Sequence, residues 1–209
     1  MKTPSPSVVL ATSATLTLVM LGWNLVFLES LDRFFKEGAG VEMVTVILLG
    51  LAILFWFWTR GLGAGLAAWH IPLLLALFAM RELDFDKRFT EQGVLKLRYY
   101  TGPGPFSEKI VGILVIGVIL AVVWALLRRN LRDWLARLAR RETGAWLVAA
   151  AILVVGVAKS IDGLDRKLAP LGIDVPAIVA QRSGRIEELL ELAFVLLLIQ
   201  AIACARRRA

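Results

Sequence analysis

Cysteine and histidine are nearly missing from this 209-residue chain, which has one of each, Cys204 and His70. One thiol cannot close an intramolecular disulfide. One thiol with one imidazole cannot supply the usual ligand set of a zinc site, a haem pair or an iron–sulfur cluster. A redox cofactor held by protein ligands is therefore not expected. The chain also lacks a glycine-rich phosphate loop and a Gly-x-Ser-x-Gly elbow. Lys159 and Ser160 are adjacent and point in different directions on a helix, so they form no Ser–Lys dyad.

Charge is scarce as well, but only in places. Lys, Arg, Asp and Glu make up 20% of the chain and leave several long runs almost free of charge. Hydrophobic residues reach 58%, against about 45–50% in an average soluble domain. Hydrocarbon imposes such a partition, because a charge near the bilayer centre costs several kcal/mol. The chain reads as all-α, a polytopic transmembrane helical bundle forming a single integral membrane domain over residues 1–209.

A spanning helix needs about 20 apolar residues to cross roughly 30 Å of hydrocarbon. Six segments approach that length: Val8 to Leu28, Val41 to Trp58, Leu62 to Met80, Ile110 to Leu127, Gly144 to Ala158 and Leu189 to Ala205. The first exceeds the 7–15 residues of a signal-peptide core and lacks a small-x-small cleavage site at its far end, so it is expected to be a retained span. The fifth is short, and its ends must reach into Thr143 and Lys159. Small residues spaced by four, Gly117, Ala121 and Ala125 on the fourth and Ala145 and Ala149 on the fifth, are expected to let helices approach closely.

The net charge of +7 points to membrane lipid and not to nucleic acid. Six arginines lie between Arg128 and Arg141, and three more at Arg206, Arg207 and Arg208, each group directly after an apolar run. One set of loops holds 11 basic residues in 28 positions, while the other holds 13 in 71. That density places both termini in the cytoplasm of a multi-pass inner-membrane protein. Leu131, Trp134, Leu135 and Leu138 follow i, i+3, i+4, i+7 spacing, with arginines opposite, so residues 128–141 read as an interfacial amphipathic helix or a cytoplasmic linker helix.

The other loops then face outward, to the periplasmic side, and gather carboxylates. Glu82 and Asp86 are spaced i, i+4 after the third run, and Glu187 and Glu191 repeat the spacing at the sixth. Glu191 stands a turn inside its apolar run, where a charge is costly unless it faces the bundle interior or water. These four are the candidate catalytic carboxylates, as proton-transfer groups or as ligands of Mg2+, Ca2+ or Mn2+. Arg81, Lys109 and Lys159 are candidate binders of an anionic head group. Salt-bridged pairs, Asp84 with Arg88 and Asp162 with Arg166, are the structural alternative, and acidic residues opening the sixth helix would suit its dipole.

Two long loops, one with Tyr99, Tyr100 and Thr101-Gly102-Pro103-Gly104-Pro105, the other with an interrupted apolar stretch from Leu168 to Ala180, are candidate covers for the outer mouth. Asn24, His70 and Gln200 are intramembrane polar residues. Pro72 is expected to kink the third span and free a carbonyl, with Asn24 a candidate partner for His70. Glu187-Glu188 followed by Glu191 resembles, over five residues, the paired glutamates of CAAX-type intramembrane proteases and the acidic motif of undecaprenyl-diphosphate phosphatases. No histidine follows the motif and no Pro-Gly-x-Ser-Arg-Ser element is present, so neither activity is assigned. The expected function is an enzyme acting on a lipid or lipid-linked substrate. The alternatives are a non-catalytic accessory or assembly subunit docking a membrane-protein partner, and a small-solute or ion transporter.

Overall fold

The computed structural model describes residues 4–27, 34–35, 40–85, 93–94, 96–102 and 105–205. Among the described residues the regular elements are all helices. Four are long and apolar enough to cross a membrane: α1 (Pro6–Phe27), α2 (Gly40–Arg60), a continuous 34-residue helix over Phe106–Ala139, and α8 (Thr143–Ile161). The membrane reading of the sequence holds at that level.

The two other apolar segments are built differently. Residues Leu62 to Met80 divide into α3 (Leu62–Ala67) and α4 (His70–Glu82). Pro72 has no N–H to give to the Ala68 carbonyl, and its ring would press on that group. The chain breaks at Ala68 and Trp69, and the Ala68 carbonyl instead accepts from Ile71 N–H at 3.0 Å. Pro72 thus falls in the first turn of α4, where a missing donor does little harm. The final segment belongs to α10, which spans Ala177–Cys204. It starts well before Leu189 and carries Glu187, Glu188 and Glu191 in its middle.

The chain forms two compact units, Met1–Leu48 with Arg141–Ala209, and Leu49–Arg140. α2 starts in the first unit and ends in the second. In the first, α10 packs most extensively on α8 and also on α1. The small residues of α8 explain the close approach, since Gly144, Ala151 and Ala158, each seven residues apart, are buried with Ala145. α1 offers Val9, Ser13 and Thr17, a buried stripe at i, i+4, i+8. Gln200 Nε2 donates to the Pro6 carbonyl at 3.0 Å, fixing the start of α1 beside the end of α10.

In the second unit α4 packs on α6 (Phe106–Leu126). Of the expected small-residue row on α6, Ala125 is buried while Gly117 and Ala121 are exposed. Gly112 does the close-packing work: a methyl group there would stand 2.7 Å from Tyr100 Oη and 2.8 Å from Tyr99 Cε1. α5 (Leu97–Thr101) holds both rings against α6. Tyr99 Oη donates to the Glu108 carbonyl and Tyr100 Oη to the Val94 carbonyl, each at 2.8 Å. Pro103 and Gly104 lie outside the described residues.

α6 continues through a π-helical turn, Leu127–Leu131, into α7 (Arg132–Ala139). The amphipathic segment expected at 128–141 is therefore an extension of a long helix. In the first unit, α9 (Leu164–Leu168) and a 3-10 turn (Ala169–Leu171) lead to α10. Leu171, Ile173, Ile178 and Val179 are exposed, so this connection does not fold its apolar groups back as a cover within its unit.

Ala151 is fully buried on α8, the helix that packs on α10. Ala151→Leu is expected to cost roughly 1–3 kcal/mol by overpacking, while Leu153→Ala on the exposed side costs almost nothing. Thermal unfolding in detergent compares them, and equal melting temperatures would contradict the packing described.

Candidate functional site

Among the described residues of the first unit, charge gathers where the end of α8 passes the middle of α10. Lys159 is in the last turn of α8, and its ammonium lies between two carboxylates. Nζ donates to Glu187 Oε1 at 2.6 Å and reaches Glu191 Oε1 at 2.7 Å. The i, i+4 spacing of the glutamates puts both on one face of α10, as the sequence implied. Their side chains are only 15% and 10% exposed, against 38% for Lys159. Asp162 Oδ2 stands 3.8 Å from the same Nζ, and Arg166 approaches Asp162 Oδ1 at 3.7 Å. Lys167 Nζ donates to the Lys159 carbonyl at 2.5 Å, closing the last turn of α8. Gly163 adopts φ +54° and reverses the chain directly after Asp162.

Burial and charge compete at Glu187, which precedes the apolar stretch Leu189 to Ala205. Loss of water raises its carboxyl above the usual value of 4.5. The hydrogen bond and charge of Lys159 oppose that rise, and the charges of Asp162 and Glu191 add to it. The balance is upward. One ammonium contacts both carboxylates. The arrangement can therefore exchange a proton at Glu187 while Lys159 holds Glu191 in place.

Lys159, the candidate head-group binder, directs its ammonium to Glu187 and Glu191. α10 begins ten residues before Glu187, so these acids are mid-helix and the helix-dipole explanation does not apply. Among the described residues no group of three or more His, Cys, Asp or Glu is arranged to hold a metal ion. The positive charge between Glu187 and Glu191 is supplied by an ammonium.

The remaining candidates lie in the second unit or outside the described residues. Glu82 pairs with its neighbour Arg81 at 3.1 Å. Asp86 and Arg88 are outside the described residues. Lys109 Nζ donates to the Gly102 carbonyl at 2.8 Å and fastens the loop before α6.

Each of the intramembrane polar residues has a hydrogen-bond partner. Asn24 Nδ2 donates to the Met20 carbonyl in its own helix at 2.8 Å. His70 Nε2 lies 2.7 Å from Asn130 Oδ1, so its partner is Asn130 and not Asn24. Trp69 meets the His70 ring edge-on at 5.9 Å. Arg129 Nη1 donates to the Ala67 carbonyl at 3.1 Å, one of the groups released by the break before α4. Sequence reasoning missed Asn130 because it sits in an arginine run and registers there only as a spacer. Pro72, which implied a disrupted carbonyl in need of a donor, pointed instead to the place that Arg129 fills.

Compared with known proteins, the chain matches no family model, no curated protein and no solved structure.

Three outcomes follow from this geometry. A raised Glu187 value means the folded form binds the proton more tightly than the unfolded chain, so its stabilising contribution is complete below about 4.5 and is lost as pH rises through the raised value. Unfolding followed from pH 4 to 8 is expected to show this decline, and Glu187→Gln is expected to flatten it. Lys159→Met leaves two carboxylates facing each other, but the partial exposure of Lys159 screens the loss to about 1 kcal/mol. In the second unit, Asn130→Ala strands the buried His70 ring and costs about 1–3 kcal/mol. An Asn130→Ala protein melting with wild type would remove this hydrogen bond from the account.

Proposed function

We propose that this chain is an integral inner-membrane protein, crossing six times with both termini cytoplasmic, and that Lys159, Glu187 and Glu191 form an acid–base site at its outward end. The six-span reading adds α3 with α4, and the apolar part of α10, to the four long helices. It places the end of α8 on the periplasmic side, opposite the arginine clusters. The substrate class this site suits is a lipid or lipid-linked molecule, because the carboxylates stand where the apolar part of α10 begins.

The observation that carries the reading is one ammonium shared by two largely buried carboxylates at 2.6 and 2.7 Å. General acid–base catalysis needs a proton-accepting group with a value moved towards neutrality, and burial together with the charges of Asp162 and Glu191 moves the Glu187 carboxyl upward. Glu187 would take and return the proton, and Lys159 would hold Glu191 in place. Lys159 already supplies the positive charge that a divalent ion would bring, so the proposal requires no metal.

A second reading has its own support. Arg81 with Glu82 and Arg166 with Asp162 form ion pairs, as expected of an accessory subunit whose charged helix ends are structural and dock a membrane-protein partner.

Lipid profiles of cells that lack the protein and carry Glu187→Gln or Glu191→Gln versions separate the two. Acid–base catalysis predicts that either change reduces conversion by roughly 10²–10⁴-fold with unchanged membrane abundance. Unaltered lipids, together with a co-purifying protein retained by both variants, would favour the accessory reading.

A further inference from the structure

The helix over Phe106–Ala139 is 34 residues long, about 51 Å at 1.5 Å per residue, whereas hydrocarbon is about 30 Å thick. Its last part, the π turn Leu127–Leu131 and α7, therefore extends past what a bilayer core needs. The apolar stripe does not stop there. Leu127, Leu131 and Leu135 are 50%, 38% and 49% exposed, and they prolong a row that includes Leu120 and Trp124 in α6. None of the residues in the π turn or α7 is buried. Arg128, Arg129, Arg132 and Arg140 are exposed around the rest of this segment.

Water is a poor solvent for such a stripe, and two occupants compete for it. Leu120, Trp124, Leu127, Leu131, Trp134 and Leu138 are spaced alternately by four and three, the seam of a coiled coil, which a second copy could match. Charge decides against that partner. Parallel copies would set Arg128, Arg129, Arg132, Arg137 and Arg140 beside the same residues of the other chain, with Asp133 the sole acid between Leu127 and Arg140, and Asp133 already faces Arg137 at 3.9 Å. Lipid phosphates carry the sign these arginines lack.

We propose that the segment from Leu127 to Ala139 is a docking surface for an anionic phospholipid leaflet, with the leucines inserted at the head-group boundary and the arginines reaching the phosphates. The root of the segment is fixed for this task. Arg129 and Asn130, both in the π turn, are bonded to Ala67 and His70 on either side of the α3–α4 break. A π turn is also a place where a helix axis changes direction, which lets α7 lean from a spanning α6 onto the surface. The inference needs bilayer insertion but not the acid–base site.

The test uses the full chain with Cys204→Ala, reconstituted in nanodiscs, with a nitroxide at Leu131→Cys on the stripe or at Ala136→Cys on the opposite side. In nanodiscs containing phosphatidylglycerol, the label at 131 is expected to be accessible to oxygen and the label at 136 to a water-soluble nickel reagent. In phosphatidylcholine alone both become water-accessible. Replacing Arg128, Arg132 and Arg140 by Gln is expected to reproduce the phosphatidylcholine pattern in either lipid. It should also lower the preference for phosphatidylglycerol over phosphatidylcholine, read by native mass spectrometry, by roughly fivefold per arginine. Equal water accessibility of position 131 in both compositions would overturn the proposal. So would close-range spin coupling between labels on two copies, which assigns the stripe to a second chain. Because lipid composition is varied around one folded protein, the result does not depend on the arginine variants being stable.

Discussion

Hydrocarbon offers no hydrogen bonds, and that constraint governs what this chain can build. Every backbone group at membrane depth must find its partner inside the protein, which a helix provides without help from neighbours. Polar side chains in the apolar helices obey the same rule by bonding back to their own carbonyls. Thr17 donates to the Ser13 carbonyl at 2.8 Å, Thr45 to Val41 at 3.1 Å and Asn24 to Met20 at 2.8 Å. Each spends its donor within one turn and leaves the helix surface free for packing. Where the rule is broken, at Ala68 and Trp69, a guanidinium from Arg129 fills the gap at the Ala67 carbonyl.

This same constraint decides which features the sequence made readable. Long runs without charge announced α1, α2, α6 and α8, because composition alone distinguishes a helix that can sit in lipid. The third and sixth segments were harder. Leu62 to Met80 has spanning length, yet its continuity depends on a clash between the Pro72 ring and the carbonyl of Ala68, an effect that hydropathy does not register. The start of α10 was misplaced because Ala177 to Ile186 is too polar to count towards a span, although helix formation there needs only ordinary propensity and the packing of α10 on α8. The amphipathic spacing of Leu131, Trp134, Leu135 and Leu138 was legible, but its fusion to α6 through a π turn was not, since nothing in Leu-Arg-Arg-Asn-Leu marks a change of helix type.

For the candidate site, the sequence placed the acids on one face but carried no sign of the lysine that meets them. Periodicity placed Glu187 and Glu191 on one face, and the structure keeps them there. Lys159 reads in the sequence as charge at the end of a short span. Its contact with the glutamates follows from the pairing of α8 with α10, driven by Gly144, Ala151 and Ala158, which brings the last turn of α8 level with them. Residue spacing within one helix is a local property. Which lysine meets which carboxylate across two helices is a property of register, and small-residue packing sets it.

An ion pair that only holds two helices together would be better made another way. Buried charges pay a desolvation cost that their attraction barely repays, and replacing such a pair with apolar residues is often neutral or stabilising. One glutamate for one lysine would satisfy the geometry at least cost. Here Glu187 and Glu191 both converge on Lys159, with Asp162 at 3.8 Å adding further negative charge. Burial and the charges of Asp162 and Glu191 raise the Glu187 carboxyl against the pull of Lys159. A proton at Glu187 relieves that repulsion, so the chemistry open to the cluster is tied to the register of α8 on α10.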